Sequence, residues 1–357
     1  MADVGILGLP NVGKTTLFNA LTGLGAVTAP NPFSTIEPNL GVARVPDPTL
    51  DRAAQVEKSR KTVHASLELL DLPTMAGPGH SGLAPRFLAR LREEDVLAVV
   101  LRAFDDGVVP ADESGVDPAE QAETLLLELT LADAEVFGRR SEKAAKEASS
   151  DPGMRRFADA IARAADLLSE GLPLRTTSWT TEELAAFRDL MPLTLKPAVW
   201  VINTSEGDDA APVIEAVSSL VPDGDTVVAL SARLEEEALL LDPEDRVELF
   251  EGFGLGEGAL ATMVRATYDA LGLISFYTLG PKEAHAWTVR RDTPAREAAG
   301  KIHSDLERGF IRAEVAPIGA VIEAGGWDAL KAAGGIRVEG KDYRVVESDV
   351  MVVRFSV

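Results

Sequence analysis

The sequence contains no cysteine among its 357 residues. This absence excludes disulfides and cysteine-ligated metal sites, and it fits a reducing compartment such as the cytoplasm, which is the location we expect. No apolar run approaches the ~20 residues that a membrane-spanning helix needs, so no membrane partner is expected. The N-terminal segment "MADVGILGLPNVGK" lacks a basic stretch followed by a long apolar one, and it therefore does not resemble a signal peptide.

Basic residues are scarce: 35 Lys and Arg stand against 57 Asp and Glu, which gives a net charge of −22. A generic nucleic-acid-binding protein would be basic, so the bulk charge argues against one, and no DNA partner is expected. The imbalance is uneven along the chain. Residues 274–357 hold 12 basic and 12 acidic residues, so residues 1–273 carry all of the negative charge. A local contact with RNA in the C-terminal segment therefore stays compatible with the sequence.

The first half of the chain alternates between strand and helix patterns. The runs "VLAVVLRAF" (96–104), "KPAVWVIN" (196–203) and "DTVVALSA" (225–232) are typical of buried parallel strands, and "ASLELLD" (65–71) alternates as a half-buried strand does. Helical stretches separate these runs. The pattern predicts a doubly wound α/β sheet, and the length of the chain predicts two or three domains.

Residues 118–195 are rich in Ala, Glu and Leu and predict two helices. Apolar residues recur at 4-3-4 spacing on each side of a break at "SSDPG" (149–153), namely Leu125, Leu129, Ala132 and Val136, then Phe157, Ile161, Ala164 and Leu168. Narrow seams of this kind predict an antiparallel hairpin with coiled-coil-like packing. The hairpin either lies on the sheet or projects from it as an arm. The charged outer faces favour the arm.

The segment after Gly272 predicts a compact α+β unit. "ISFYTLG" and "AHAWTVR" are expected to form a strand pair, and "KDYRVV" and "VMVVRFSV" further strands. "TPAREAAGKIHSDLERG" (293–309) predicts one helix with Pro294 in its first turn.

A phosphate-binding loop directly follows the first predicted strand. Residues 8–15, "GLPNVGKT", match G-x-x-x-x-G-K-[ST], and a helical pattern comes next. In such a loop backbone N–H groups face phosphate oxygens, Lys14 reaches the β and γ phosphates, and the Thr15 hydroxyl binds Mg²⁺. We therefore predict nucleotide binding with Mg²⁺ as cofactor. The residues expected to bind the nucleotide are Asn11, Val12, Gly13, Lys14, Thr15 and Thr16.

Two more residues are candidate parts of the magnesium site. Thr35 lies 20 residues after Thr15 in a loop rich in Pro and Asn, where its hydroxyl could complete the magnesium shell. Asp71 ends a predicted strand, where a carboxylate that holds Mg²⁺ through water is expected. The alternatives are a solvated loop threonine and a loop or capping aspartate.

The segment "NTSE" (203–206) bears on the choice of base. Regulatory P-loop GTPases usually carry Asn-Lys-x-Asp at this place, and the Asp accepts hydrogen bonds from guanine. Here Thr204 and Glu206 stand at the Lys and Asp places, while an Asn203 amide could donate to adenine N7 and accept from N6. We therefore predict a preference for ATP over GTP. Ser231, Ala232 and Arg233 would form the last wall of the base pocket.

Several segments together resemble the YchF, or Obg-like, ATPases, a branch of the translation-factor-related P-loop GTPases. They are "GLPNVGKTTLFNALT", "PFSTIEPNLGVARVPDPTLDRAA", "NTSE", "SARLEEE", "GPKEAHAWTVRRDTPAREAAGKIHSDLERGFIRAEV" and "EGKDYRVVESDVMVVRF". The resemblance implies a nucleotide-binding domain over 1–117 and 197–273, a helical coiled-coil insertion over 118–196, and a C-terminal TGS domain of β-grasp type over 274–357. It also implies slow ATP hydrolysis and association with ribosomes.

The sequence departs from the pattern of this family at two places that concern hydrolysis. Thr74 stands where the family has a Gly whose N–H should meet the γ-phosphate, and Met75 keeps the apolar place after it. Ala111 stands where many members have a His that is thought to assist hydrolysis. His80 could substitute only if its shortened loop reaches the phosphate. Thr74, Met75 and His80 are thus the catalytic candidates, and binding is better supported than turnover.

Three functions follow from these observations. The leading hypothesis is an ATPase switch that contacts ribosomal RNA or protein through its C-terminal domain and helical arm. The second is a nucleotide-dependent binding module that barely hydrolyses, which Thr74 and Ala111 favour. The third is a GTP-preferring relative, against which "NTSE" stands.

A cluster of basic residues is the candidate ribosome-contacting surface of the C-terminal segment. Trp287 and His303 lie nearby in sequence and could stack on a base. The alternative is a solvated helix with internal ion pairs and a core tryptophan. The basic residues are Arg290, Arg291, Arg296, Lys301, Arg308 and Arg312.

Overall fold

The computed structural model describes residues 2–24, 38–72, 83–105, 117–253 and 258–356. They form two compact units. The larger unit comprises Ala2–Gly41 and Glu68–Met263, and the C-terminal unit comprises Val42–Leu67 and Val264–Val357. Residues 42–67 thus group with the C-terminal segment, although they lie within the range predicted for the nucleotide-binding domain. The division into three domains stays a prediction.

The strands in the described ranges are β1 (Ala2–Leu7), β2 (Asn39–Arg44), β3 (Thr62–Val63), β4 (Ser66–Asp71), β5 (Val96–Ala103), β6 (Ala198–Thr204), β7 (Thr226–Leu230), β8 (Leu273–Thr278), β9 (Ala284–Arg290), β10 (Phe310–Pro317), β11 (Arg337–Glu339) and β12 (Asp349–Phe355).

The α-helices are α1 (Lys14–Thr22), α2 (Pro48–Val56), α3 (Pro85–Glu93), α4 (Pro118–Ser150), α5 (Arg155–Ser169), α6 (Thr181–Phe187), α7 (Ala211–Ser218), α8 (Ala232–Ala238), α9 (Pro243–Gly252), α10 (Ala259–Ala270), α11 (Ala295–Ile302), α12 (Ser304–Arg308), α13 (Ile318–Ala324) and α14 (Trp327–Ala332). None of these helices combines the length and the apolar character that crossing a bilayer requires.

One six-stranded sheet has the order β2-β4-β1-β5-β6-β7. Strand β1 pairs in parallel with β5, β5 with β6, and β6 with β7, which confirms the predicted doubly wound α/β fold. The apolar runs of β5 and β6 are buried on both faces, as parallel strands covered by helices must be. The register places Arg102 opposite Asn203 at the carboxyl ends of these two strands. Ligands of such sheets bind at that edge.

The helical insertion contributes to two separate buried clusters. Near its start, α4 lies against the sheet, because Leu125 and Leu129 belong to the same buried cluster as Trp200 of β6. Further along, Phe137 of α4 packs with Ile161 of α5 in a separate cluster. The break predicted at residues 149–153 is confirmed, since α4 ends at Ser150 and a 3₁₀ turn follows. The predicted seam on α4 is partly wrong: Ala132 and Val136 are only half-buried, whereas Asp133 and Phe137 are fully buried.

The C-terminal unit contains a mixed sheet of order β11-β10-β12-β8-β9-β3. Strands β8 and β9 pair antiparallel, and β12 pairs with β8 in parallel. Ala295 and Ala298 of α11 belong to the same buried cluster as residues of these three strands. The predicted strand pair is confirmed. The predicted single helix over 293–309 is divided at His303, and Pro294 precedes the first turn instead of lying in it. The segment "KDYRVV" forms only an isolated bridge at Arg344. The TGS assignment stays a prediction.

Candidate functional site

Close packing fixes the backbone of the loop between β1 and α1. A Cβ atom on Gly8 would lie 2.4 Å from the Val100 carbonyl oxygen of β5. Gly13 has a φ of +94°, and a Cβ atom there would lie 2.3 Å from Nδ2 of Asn203. Only glycine satisfies both conditions, because it tolerates positive φ and has no side chain to collide. The structure therefore gives a physical reason for both glycines of the motif.

The Lys14 side chain lies inside this loop. Its ammonium donates to the carbonyl oxygens of Gly8 at 3.1 Å and Leu9 at 2.7 Å, and the residue is 8% exposed. Burial lowers the pKa of the Lys14 ammonium to about 8, and the Asp71 carboxylate partly opposes this shift. A buried, weakly hydrated cation at this point is well suited to meet phosphate.

Thr15 and Asp71 form the candidate magnesium site. The Thr15 hydroxyl donates to Oδ2 of Asp71 at 2.9 Å, and the carboxylate is buried at the end of β4. Asn39 of β2 also donates to Oδ2, at 3.0 Å, and this residue was not identified from the sequence. A hydroxyl beside a carboxylate is an oxygen donor set that fits Mg²⁺, which takes few protein ligands and completes its shell with phosphate and water.

Asn203 connects the phosphate-binding loop to the start of α8. Its Nδ2 donates to the Val12 carbonyl oxygen at 3.0 Å, and its Oδ1 accepts from the backbone N–H of Ala232 at 3.0 Å. The side chain is 5% exposed. Each amide atom thus has a partner within the protein, and one N–H and one lone pair remain for a base. The bidentate reading of adenine by this amide stays a prediction.

The other residues expected at the base pocket surround Asn203 in sequence or space. The Thr204 hydroxyl is 3.4 Å from the Leu230 carbonyl oxygen, and Glu206 is exposed. Ser231 caps α8, because its Oγ accepts from the N–H of Leu234 at 3.3 Å. Arg233 is directed to Glu237 on the surface of α8. The structure therefore brings Asn203 and Ala232 together with the phosphate-binding loop, through Val12.

Arg102, at the end of β5, is a component of the site that sequence analysis does not identify. It is 2% exposed, and its Nη1 donates to the Asn11 carbonyl oxygen at 3.4 Å. Its guanidinium stacks 4.4 Å from the centre of the Phe104 ring, and its Nε donates to the Phe104 carbonyl oxygen. The side chain of Gln121 on α4 bonds to both backbone groups of Arg102. A charged residue within the apolar run "VLAVVLRAF" is the signal that could have revealed it.

Several expected residues are not positioned with the others. Thr16 is half-buried in the first turn of α1. Thr35, Thr74, Met75, His80 and Ala111 lie outside the described residues, so their predicted roles stay predictions.

The candidate stacking residues of the C-terminal unit have partners within the unit. The Trp287 ring stacks on His285 at a centroid distance of 3.8 Å, and its Nε1 donates to the Thr278 hydroxyl at 3.0 Å. His303 caps α12 by accepting from the N–H of Asp305. These contacts favour the structural alternative for the two rings. The six basic residues of the candidate surface are all exposed.

Comparisons with known proteins support this fold. A family model described as "50S ribosome-binding GTPase" matches residues 3–133, and the YchF C-terminal model, described as a protein of unknown function, matches residues 273–356. The chain is 36% identical to "Ribosome-binding ATPase YchF" of Bacillus subtilis over 99% of each chain. It is 38% identical to the protein of the same name from Escherichia coli O157:H7, again over 99% of each. The structure of the Schizosaccharomyces pombe YchF GTPase superimposes with a TM-score of 0.85 at 29% identity, covering 99% of this chain and 97% of that one.

Proposed function

Because this chain belongs to the YchF family of P-loop proteins, we propose that it binds and slowly hydrolyses ATP and that it associates with the ribosome. The names of the bacterial relatives support both parts of the proposal. The phosphate-binding loop, with Lys14 inside it and Thr15 beside Asp71, supports the nucleotide part.

The proposed preference for ATP rests on the residues around Asn203. The amide is held between the Val12 carbonyl and the Ala232 N–H, and Glu206 stands where a guanine-reading Asp would be needed. The N1–H and N2–H₂ of guanine are usually accepted by an Asp carboxylate, and Glu206 is one methylene longer, so it would not take the same pose. A polar mismatch of this kind is costly in a buried pocket.

The residues of the site have separate tasks toward the nucleotide. Lys14 would place its charge against the β and γ phosphates, and Gly13 would present its N–H to them. Thr15 and Asp71 would hold Mg²⁺, Asp71 through water; when bound, the cation neutralises charge on the same phosphates. Arg102 would hold the carbonyl of Asn11 so that the loop keeps its conformation before nucleotide binds.

Titration of the purified protein with ATP and GTP in the presence of Mg²⁺ tests the base preference. We expect tighter binding of ATP, and a shift toward GTP in the double variant Thr204→Lys, Glu206→Asp. Equal or tighter binding of GTP by the unmodified protein would contradict the proposal. The single variant Asp208→Asn, which changes an exposed carboxylate two residues beyond Glu206, is the matched control.

Single-turnover hydrolysis, with and without ribosomes, separates the switch from its alternative. Thr74 and Ala111 favour a binding module with little hydrolysis, since positioning of water and γ-phosphate supplies most of the catalysis in phosphoryl transfer. Slow turnover that ribosomes accelerate is the expected result. ATP binding with no measurable turnover in either condition would favour the binding module.

Two exposed basic surfaces support a ribosome contact. One is the set of six basic residues between Arg290 and Arg312. The other, called the arm tip here, is residues 139–156, which hold six basic and three acidic residues in a chain of net charge −22. Within this stretch Lys146, Arg155 and Arg156 are exposed and have no carboxylate partner among the described residues. Co-sedimentation with ribosomes at two salt concentrations tests the contact, because phosphate contacts weaken steeply as salt rises.

A further inference from the structure

An open groove lies beside the start of the helical insertion, and no residue of the phosphate-binding loop lines it. It has a volume of about 540 Å³ and is lined by α4, by residues 171–176 and by residues 220–223. Its wall includes Leu127, Leu172 and Leu220, which are 52%, 42% and 36% exposed. Three exposed leucines therefore contribute to the wall of one groove, which makes this surface a candidate for interaction. We call this surface the leucine groove.

The apolar surface continues along α4 beyond the groove. Glu123, Leu127, Leu131 and Glu135 are all exposed and follow one another at intervals of four residues. Residues at this spacing lie on one face of a helix. The exposed face of α4 therefore presents two leucines in a row, with a carboxylate at each end.

The charge around the leucine groove is negative. Glu123 and Asp223 are exposed and line it. Among the described residues, Arg175 is the one cation in the wall, and its Nη1 and Nη2 already donate to the two carboxylate oxygens of Asp225 at 2.5 and 2.6 Å. Asp225 is buried and compensates the guanidinium charge. The two exposed carboxylates therefore set the sign of the electrostatic potential.

We infer that the leucine groove binds an amphipathic helix of a protein partner, with apolar side chains on one face and Lys or Arg on the flanks. The leucines match the apolar face, and Glu123 and Asp223 match the basic flanks. Recognition of this kind uses side chains at i, i+3, i+4 and i+7, and it needs only a short helical segment of the partner. The inference does not depend on ATP hydrolysis.

Fluorescence anisotropy with a labelled synthetic helix tests the inference. The probe is a peptide of about 18 residues, long enough to form a helix, with Leu on one face and Lys on its flanks. One control peptide has the same composition in scrambled order. The other keeps the order and has Glu in place of each Lys. We expect the amphipathic Lys peptide alone to bind, and hydrogen exchange to slow in residues 123–131 and 220–223. Equal binding of the scrambled peptide would overturn the inference.

Substitutions in the full-length protein locate the binding. The double variant Leu127→Ser, Leu220→Ser should weaken peptide binding by about tenfold or more, a loss typical of apolar anchors. Leu184→Ser, which changes a leucine of similar exposure on α6, is the matched control and should leave binding unchanged. Equal weakening by the control would overturn the inference. Thermal unfolding of each variant shows that the fold is retained.

Charge reversal and sedimentation address the remaining alternatives. Glu123→Lys with Asp223→Lys should abolish binding of the Lys peptide and allow binding of the Glu peptide. Unchanged preference would mean that charge does not select the partner. Self-association of the unmodified protein that Leu127→Ser abolishes would identify a second copy of this chain as the occupant, and would also overturn the inference.

Discussion

Lys14 is placed where its protonation state should control nucleotide affinity. Burial lowers the pKa of its ammonium to about 8, whereas bound phosphate would favour the protonated form. Above pH 8 a growing fraction of the protein must take up a proton to bind. We expect ATP affinity to fall about tenfold between pH 7 and pH 9. Calorimetry in two buffers of different ionisation enthalpy should detect proton uptake at pH 8.5, and constant affinity up to pH 9.5 would contradict the assignment.

The lowered pKa of Lys14 also affects how the free energy of unfolding depends on pH. In the unfolded chain the pKa of Lys14 returns to 10.5, so between pH 8 and 10.5 the unfolded state binds more protons than the folded state. The contribution of this residue to the free energy of unfolding therefore rises across that interval as pH increases, and it is constant below it.

Asn203 is predicted to stabilise the fold as well as the base pocket. Asn203→Asp keeps an acceptor for the Ala232 N–H but places a carboxylate against the Val12 carbonyl oxygen. A buried hydrogen bond lost in this way costs about 1–3 kcal/mol of unfolding free energy. Thr204→Ala is the control, because that hydroxyl makes only a long contact of 3.4 Å, and it should change stability by less than about 0.5 kcal/mol. Urea unfolding of both variants measures the difference; equal stabilities would show that the bridge contributes little.

At the scale of elements, α3 is connected to the helical insertion by one buried ion pair. Arg92 of α3 donates to Oδ1 of Asp133 on α4 at 2.6 Å and also to the carbonyl oxygens of Ala132 and Met191. Asp133 is fully buried and accepts further bonds from Thr194. The pair and the neighbouring hydrogen bonds therefore hold α3 against the insertion.

Removal of one partner of this pair should be costly. Arg92→Ala leaves the Asp133 carboxylate buried without its cation, and we expect a loss of about 3–5 kcal/mol in the free energy of unfolding. Arg90→Ala is the matched control on the same helix, since Arg90 and Glu93 form a pair whose side chains are both 59% exposed. Exposed pairs contribute about 0–1 kcal/mol. If Arg92→Ala lowers the free energy of unfolding no more than the control does, the buried pair contributes no more to stability than an exposed one.

The contrast between local and distant contacts explains what the sequence could predict. The phosphate-binding loop, the strands of the sheet and the break between α4 and α5 follow from short patterns of glycine and apolar residues. The bond from Arg102 to Asn11 joins residues 91 positions apart, and that from Arg92 to Asp133 joins residues 41 apart. Nothing in a single sequence pairs such residues. The α4 seam was misplaced for the same reason: tertiary packing on the sheet and then on α5 decides which face is buried.

At the scale of the whole molecule, the net charge of −22 contrasts with the basic arm tip, and this contrast leads to the last prediction. Electrostatic repulsion should keep most of the chain away from ribosomal RNA, so phosphate contacts should concentrate where cations are exposed and unpaired. We expect the triple variant Lys146→Ala, Arg155→Ala, Arg156→Ala to co-sediment with ribosomes less well than the unmodified protein, and to show a weaker dependence on salt because fewer counterions are released.

Two further triple variants decide where the contact lies. One variant removes three exposed cations of the C-terminal surface: Arg290→Ala, Arg291→Ala, Arg296→Ala. The other is a control that removes three exposed cations belonging to neither proposed surface: Arg52→Ala, Lys58→Ala, Arg60→Ala. All variants keep the full chain, because truncation at Gly272 would divide the C-terminal unit, which includes Val42–Leu67 and Val264–Val357. Reduced binding in the first two variants but not in the third supports both surfaces. Equal reduction in all three would mean that net charge, and not a particular surface, governs association. Reduction in neither of the first two would place the contact on another part of the molecule.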